Sequence, residues 1–152
     1  MKKKIILISI ILVLILISCR QSNIKYPSGR DTVKSYGDGT FQIVGRDPSG
    51  VYYGGEGSPL ISSVDRYYEH NDMVYIIGHD SHQAETIIYG IIDTNQNTIH
   101  VLFTEEVYLA DRLLESPSIE FLQDFADFSE NDKVIFEKLK NEELGKTIEA
   151  KR

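Results

Sequence analysis

The sequence is poor in cysteine and, beyond residue 35, poor in basic side chains. It contains one cysteine, Cys19, so an internal disulfide is impossible and no cluster of thiolates can hold a metal. From Tyr36 onward nine lysines and arginines stand against 22 aspartates and glutamates, a net charge of −13. A body this acidic argues against binding nucleic acid or anionic lipid through its own surface. Two interpretations of this acidity remain open: it keeps the domain soluble and has no other role, or it attracts a basic partner.

Signatures of several enzymes and repeat folds are also missing. The chain has no Gly-x-Ser-x-Gly elbow and no internal repeat. Its 152 residues could furnish about one blade of the four or more that a propeller needs. Gly54-Gly55-Glu56-Gly57 is followed by neither Lys-Ser/Thr nor a helical pattern, which favours a turn or bulge over a phosphate cradle. The length predicts a single domain with one modest core.

The first 18 residues have the composition of a secretory leader. Lys2, Lys3 and Lys4 form a positive n-region, and a run of 13 residues that is apolar except for Ser9 follows at positions 5–17. A helix that spans the hydrocarbon core of a bilayer needs roughly 20 apolar residues, so this run predicts a cleaved signal peptide. The positive end stays cytoplasmic, which places the rest of the chain on the outer side of the membrane.

Leu16-Ile17-Ser18-Cys19 closes this leader and resembles the lipobox of bacterial lipoproteins. In that family a diacylglycerol is attached to the cysteine sulfur, and a peptidase then cuts in front of the cysteine. The resemblance covers residues 1–19 and implies lipidation of Cys19. It implies a protein anchored at the cell membrane or the outer membrane and facing the extracytoplasmic side. The alternatives are an ordinary leader with an unrelated cysteine and an uncleaved short anchor.

The remaining chain divides by composition into a tether, a body and a tail. Residues 20–35 are polar, contain Pro27-Ser28-Gly29 and show no periodicity. We therefore expect residues 19–35 to form a lipidated N-terminus and flexible tether, whose basic side chains suit an anionic leaflet. Residues 36–145 are expected to form one globular domain, and residues 146–152 are expected to fray.

Segments rich in β-branched and aromatic residues predict an antiparallel meander. They lie at residues 41–44, 51–53, 61–68, 73–78, 86–93 and 98–103, and the stronger ones are separated by short polar loops that suit hairpins. In the segment 86–93, Ile87, Tyr89 and Ile91 share one face while Ile88 and Ile92 share the other. A strand that is apolar on both faces is expected to be central and covered on both sides.

The last fifty residues of the chain are expected to cover the second face of this strand. Thr104, with Glu105 and Glu106 behind it, predicts the start of a helix, and Ser116-Pro117 predicts its end. Residues 119–122 predict an edge strand or a bent link.

A second helix is predicted after Ser129. Ser129 and Asp132 have the spacing of a capping box, Ile135 and Leu139 lie one turn apart, and Gly145 suits the C′ position that ends a helix. The predicted fold class is therefore α+β, with an antiparallel β-meander sheet of five or six strands packed with C-terminal helices.

The segment His79-Asp80-Ser81-His82 is the candidate for metal chemistry. Two imidazoles with a carboxylate between them in a hairpin loop could contact one ion, with His70 or His100 as a third ligand. A tight site needs three or four ligands with further support, however, and this spacing matches no metal motif. We therefore predict no metal and no cofactor, and keep a metal-dependent hydrolase centred on His79 and His82 as the alternative.

An acidic run precedes the second predicted helix and consists of Asp124, Asp127, Glu130 and Asp132. It lacks the alternate ligands and central glycine of a calcium loop. The run is better explained as acidic side chains at the start of a helix, where they interact favourably with the positive end of the helix dipole.

Tyr52, Tyr53, Tyr67 and Tyr68 are candidate binding residues of a different kind. Neighbours on a strand point to opposite faces, so one ring of each pair is expected inward and the other outward. Exposed tyrosine is favoured at protein interfaces, while half-buried packing on a sheet is the simpler interpretation.

These features together predict a lipid-anchored, non-enzymatic binding domain. Its contacts would be the membrane, through lipid on Cys19, and a basic protein or peptide, with no nucleic acid. An immunity lipoprotein that shields its owner from a basic toxin is one form of this function that fits the size, the location and the acidity.

Overall fold

The computed structural model describes residues 28–46, 49–54, 56–80, 86–105 and 119–149. The elements in chain order are β1 Thr32–Tyr36, β2 Phe41–Val44, β3 Gly50–Tyr53, β4 Glu56–Ser62, β5 Val64–His70, β6 Met73–His79, β7 Thr86–Asp93, β8 Thr98–Glu105, β9 Glu120–Phe121, a 3₁₀ helix Phe125–Asp127, helix α1 Glu130–Lys140, and β10 Lys146–Glu149. The predicted signal peptide and Cys19 lie outside the described residues.

The strands form two sheets instead of the single meander that we expected. The first sheet is antiparallel with the order β1-β2-β3-β4, and the second has the order β10-β8-β7-β6-β5-β9. The second sheet is mixed, because β9 pairs parallel with β5. The described chain is thus mostly β with one α-helix, which is consistent with the α+β class.

Ser63 separates the two sheets within the segment 61–68, for which we had predicted one continuous strand. Its φ of 48° lies in the left-handed region, which breaks the extended backbone between β4 and β5. Its N–H donates to the Ser49 carbonyl at 2.6 Å, and its carbonyl accepts from the His79 N–H at 3.2 Å. The bend therefore keeps its backbone hydrogen bonds, one with Ser49 just before β3 of the first sheet and one with His79 at the end of β6 in the second.

The first core fills the space between the two sheets. Its buried side chains are Tyr36, Phe41, Ile43, Val51 and Ile61 from the first sheet, and Val64, Tyr67, Val74, Ile76, Ile88, Ile92, Ile99 and Val101 from the second. A bulge in the β5–β6 pairing, between Val64 and Arg66, shifts the alternation of β5. Val64 and Tyr67, three residues apart, can therefore both face this core.

The second core lies on the opposite face of the second sheet, under the helical segment. Its buried side chains are Tyr75, Ile77, Ile87, Tyr89 and Ile91 from the sheet, and Leu122, Phe128, Phe136 and Leu139 from the C-terminal part. Every residue of β7 is buried, and its two faces divide between the two cores as the alternation predicted. The expectation of a central strand covered on both sides is confirmed.

The predicted helix start at Thr104 is wrong. Strand β8 continues through Glu105, and Thr104 pairs with Ile87 of β7, whose carbonyl accepts a hydrogen bond from the Thr104 hydroxyl at 3.3 Å. Cap-forming residues also occur in strands, and here the pairing with β7 outweighs the local preference. The rest of that predicted helix, residues 106–118, lies outside the described residues.

The ends of the body also differ from the expected division. Thr32–Tyr36 is strand β1, paired with β2, so the expected tether cannot extend to residue 35. Lys146–Glu149 is strand β10, paired with β8, where we had expected a frayed tail. Neither segment has an apolar pattern that would predict a strand. Both are edge strands, which are stabilised by hydrogen bonds to the neighbouring strand.

Helix α1 begins as predicted and ends differently. Ser129 is its N-cap, with a complete capping box to Asp132. The helix ends at the C-cap Asn141, followed by Glu142 with a φ of 58°. The Glu142 N–H donates to the Leu139 carbonyl and the Glu143 N–H to the Lys138 carbonyl, which is the Schellman pattern. Glu142 therefore occupies the C′ position.

Gly145, which we had predicted at C′, leads into β10 instead. Its φ is 85°, and a Cβ atom there would lie 2.7 Å from the Val101 carbonyl oxygen. Glycine is thus needed for the approach of the backbone to β8 and not for the helix end.

The remaining C-terminal expectations are confirmed. Residues 119–122 contribute the edge strand β9. In the acidic run, Asp124 caps the 3₁₀ helix in a capping box with Asp127, and Glu130 pairs with Lys133 at 2.8 Å. The acids thus serve the starts of helical segments.

Candidate binding site

His79, at the end of β6, forms an ion pair with Asp65 of β5. Its Nδ1 lies 3.2 and 3.1 Å from the two carboxylate oxygens, and the two side chains are 14% and 18% exposed. The hydrogen bond to Asp65 raises the pKa of His79 above its usual range, against the effect of burial, and the charges of Asp65 and Asp80 add to the rise. The carboxylate thereby holds the imidazole in one orientation and favours its charged form.

The other described histidines lie away from this pair. His70 is at the opposite end of the β5–β6 hairpin and stacks on Tyr68 with 6.2 Å between ring centroids. His100 is on β8, with Nδ1 2.9 Å from the Thr147 hydroxyl of β10. Within the described ranges no three His, Cys, Asp or Glu side chains are grouped to hold a metal ion, and His82 lies outside those ranges.

Tyr52 and Tyr67 are the more deeply buried members of the two tyrosine pairs. They are 3% and 7% exposed. The Arg46 guanidinium lies 5.0 Å above the Tyr52 ring, and the Tyr67 ring lies 5.0 Å from that of Phe121. Both rings are therefore engaged in packing within the chain.

Tyr53 and Tyr68 are the less buried members, and both are half-buried. Tyr53 packs against the first core and Tyr68 against the second, so the expected division into one inward and one outward ring is not observed. Tyr53 packs edge-on against Phe41 at 6.4 Å. Tyr68 belongs to the other face of the second sheet, where it borders an open pocket. Of the four tyrosines proposed for binding, Tyr68 lies beside this cavity.

The pocket lies between the β5–β6 hairpin and the helical segment, and its volume is about 210 Å³. Its lining consists of Tyr68 and His70 from β5, Tyr75 from β6, Phe125 from the 3₁₀ helix and Glu137 from α1. The register of the hairpin places Tyr68 directly opposite Tyr75. Cross-strand neighbours lie close together on one face, so the two tyrosines form one continuous wall.

The aromatic rings of the pocket support one another. The centroid of Tyr75 lies 5.1 Å from that of Phe125 and 6.1 Å from that of Tyr68. Beneath them, the fully buried Phe136 lies 5.3 Å from Tyr75 in an edge-on contact. Rings at such distances attract one another and restrict each other's rotation, so the pocket has a preformed aromatic surface.

Glu137 supplies the charge of the pocket. Its side chain is exposed, and it makes no ion pair with any described residue. Lys133, one turn earlier in α1, pairs with Glu130 instead. Burial raises the pKa of Tyr75, and the negative charge of Glu137 raises it further. The carboxylate is therefore close enough to act on the aromatic wall.

The lining of the pocket combines aromatic rings with a single carboxylate. The described lining offers one carboxylate, one imidazole and two phenols, without the serine, cysteine or lysine of a nucleophilic site or the second carboxylate of a glycosidase. An aromatic surface beside a carboxylate with no cationic partner is a setting that attracts a positively charged group.

Sequence reasoning had named only Tyr68 as a binding candidate among these residues. His70 had been considered as a metal ligand, Tyr75 belonged to a predicted core strand, and Phe125 and Glu137 had no assigned role. The signal for Tyr75 was present, because the short loop Asn71-Asp72 places positions 68 and 75 at equal distances from the turn. No comparable signal brings Phe125 and Glu137 to the same place, since that depends on how α1 lies on the sheet.

No protein-family model, curated protein or solved structure matches the chain. In the described ranges, no helix has both the length and the apolarity that a membrane span requires.

Proposed function

We propose that the chain is a lipoprotein, anchored through lipid on Cys19 at the cell membrane or the outer membrane, whose body binds a basic protein or peptide on the extracytoplasmic side. The leader and the sequence Leu16-Ile17-Ser18-Cys19 support the anchor. The distribution of charge on the folded body supports the partner, and this observation carries the proposal.

Most of the negative charge of the body is not neutralised within the described structure. Four ion pairs engage Asp65, Glu69, Glu120 and Glu130. A larger set of acids is exposed and forms no ion pair with a described residue: Asp38, Asp72, Asp124, Asp127, Glu137, Glu142, Glu143 and Glu149. Such a surface attracts cationic partners over several ångströms and can speed their association by roughly 10–10³-fold at low salt.

A binding role is favoured over an enzymatic one by the roles of the titratable groups. Asp124, Asp127 and Asp132 cap helical segments, and His79 is paired with Asp65. A catalytic site requires a nucleophile or base with an orienting partner and a place for the reacting atom. The aromatic pocket beside Glu137 supports a binding role instead.

The anchor is tested by labelling cells with radioactive palmitate. Wild type and Ser22→Ala, a small change three residues past the lipidation site, should both incorporate label. Cys19→Ala should incorporate none and should remain uncut or become soluble. Equal labelling of Cys19→Ala and wild type would refute lipid attachment at this residue.

The binding role is tested with the full-length chain, solubilised in neutral detergent, as bait for an envelope extract. We expect it to retain a basic protein at low salt. The protein should be released as the salt concentration rises past physiological ionic strength, where the Debye length falls below about 8 Å. The purified pair should show the same salt dependence. Retention of salt-insensitive proteins alone, or of none, would contradict the proposal.

A metal-dependent hydrolase centred on His79 and His82 is the second candidate. It is favoured by one observation, the pairing of the His79 Nδ1 with Asp65, because metal-binding histidines commonly donate their other ring nitrogen to a carboxylate. The metal content of the purified full-length chain decides it. Stoichiometric zinc that is lost in His79→Ala and kept in His100→Ala would support this candidate, and a metal-free chain would exclude it.

A further inference from the structure

We propose that the pocket formed by Tyr68, His70, Tyr75, Phe125 and Glu137 receives the side chain of an arginine from the basic partner. This inference deepens the proposed function and rests on it for the source of the arginine. Its basis is the combination of aromatic walls, a small volume and a carboxylate that forms no ion pair with a described residue.

The volume of the pocket matches one side chain. Sites for small molecules and cofactors commonly enclose about 300–1,000 Å³, whereas this pocket has about 210 Å³. We therefore expect the pocket to receive one long side chain of a docked partner.

The aromatic walls suit a guanidinium group. A cation that lies within about 6 Å of an aromatic centroid is attracted by the negative face of the ring. Tyr68, Tyr75 and Phe125 have centroids 5.1 to 6.1 Å from one another, so a group that lies against the surface they form can be within this distance of more than one ring. Guanidinium is planar and less strongly hydrated than ammonium, and it stacks on such faces better than lysine does.

Glu137 supplies the charge complement. It forms no ion pair among the described residues, and it belongs to the exposed part of α1, where a partner can reach it. A carboxylate can accept two parallel N–H bonds from guanidinium, which lysine cannot make. The same geometry therefore selects a cation over a neutral group and arginine over lysine.

The test uses small probes on the full-length chain in neutral detergent, followed by amide chemical shifts. The probes are N-acetyl-arginine amide, its uncharged analogue N-acetyl-citrulline amide, and N-acetyl-lysine amide. We expect the arginine probe to shift the amides of Tyr75 and Glu137 with millimolar affinity. The lysine probe should bind about threefold more weakly, and the citrulline probe about tenfold more weakly.

Matched variants separate the pocket from the general acidity of the body. Glu137→Gln should weaken the arginine probe about tenfold. Asp38→Asn removes the same charge from an exposed turn of the first sheet and should change its affinity by less than about twofold. Tyr68→Leu should weaken the probe about threefold, while Tyr68→Phe, which keeps the ring, should not. The surface position of Glu137 makes its variant safe for folding.

Three results would overturn the inference: no shift of pocket amides by the arginine probe, equal binding of arginine and citrulline, or equal effects of Glu137→Gln and Asp38→Asn. If one of these occurs while the bait still retains a basic protein in a salt-sensitive way, the pocket inference fails and the proposed function stands. If the arginine probe binds as expected while no basic protein is retained, the pocket stands and the proposed function fails.

Discussion

Replacement of Asp132 with alanine would remove two interactions that a single carboxylate makes. Its Oδ2 accepts a hydrogen bond from the Ser129 N–H at 3.2 Å, and its own N–H donates to the Ser129 hydroxyl at 3.1 Å, which completes the capping box of α1. Its Oδ1 accepts a hydrogen bond from the Tyr89 hydroxyl at 2.7 Å. Because Tyr89 lies in the central strand β7, this carboxylate joins the start of the helix to the middle of the second sheet.

The magnitude follows from the two interactions. The capping-box bond that is lost, from the Ser129 N–H to the carboxylate, contributes at most about 1 kcal/mol, and a hydrogen bond to a charged group contributes roughly 1.5–3 kcal/mol. Asp132 is partly exposed, so water compensates part of the second contribution, which we place near the lower end of that range. Asp132→Ala should then cost about 2–3 kcal/mol. Ser129→Ala, which keeps the bond to Tyr89, should cost about 1 kcal/mol.

Urea unfolding followed by circular dichroism measures these costs, and a double-mutant cycle isolates the bond to the sheet. Tyr89→Phe and Asp132→Ala should be coupled by about 1.5 kcal/mol, with Ser129→Ala and Tyr89→Phe close to additive. A coupling energy near zero between Tyr89 and Asp132 would refute the idea that this carboxylate holds the helix on the sheet. Equal costs for Ser129→Ala and Asp132→Ala would refute it as well.

Three further predictions concern the core, a helix end and an ion pair. Ile91→Ala removes a side chain that is 1% exposed in the second core and should cost about 2–5 kcal/mol; an unchanged denaturant midpoint would contradict its central position. Glu142→Gly relieves a residue with a φ of 58° and should stabilise the fold by about 0.5–1 kcal/mol, measured by urea unfolding; a loss of stability would speak against strain there. The pKa of His79 is raised in the fold, so its pair with Asp65 stabilises below the unfolded pKa of about 6.5 and this contribution is lost as the pH rises through the folded value. Wild type should therefore lose more stability than His79→Gln between about pH 6 and about pH 9, and parallel pH profiles would show that the pair contributes nothing.

Local patterns in the sequence predicted several elements correctly. The alternation of Ile87, Tyr89 and Ile91 against Ile88 and Ile92 assigned each face of β7, because side chains alternate strictly along an extended chain. The capping box of Ser129 and Asp132 was readable because both partners lie within one turn. In each case the interacting residues are close in sequence.

The candidate site lacked such a local signal. Its walls come from β5, β6, the 3₁₀ helix and α1, and Tyr68 is 69 positions before Glu137 in the chain. An exposed glutamate on a helix and a phenylalanine within an acidic run have no distinguishing pattern of their own. They acquire a role only when the helix lies on the sheet in one orientation, which is decided by the packing of Phe136 and Leu139 in the second core.

The sequence by itself determined the positions of most strands, the central place of β7 and the cap of α1, and it predicts the leader and the anchor at Cys19. Tertiary structure decided that the strands divide into two sheets at Ser63, that Lys146–Glu149 joins the second sheet as β10, and that Glu137 lies beside the aromatic wall. The physical reason is one of range. Alternation, capping and leader composition act between neighbours in sequence, whereas edge pairing and helix placement depend on hydrogen bonds and buried contacts between residues far apart along the chain.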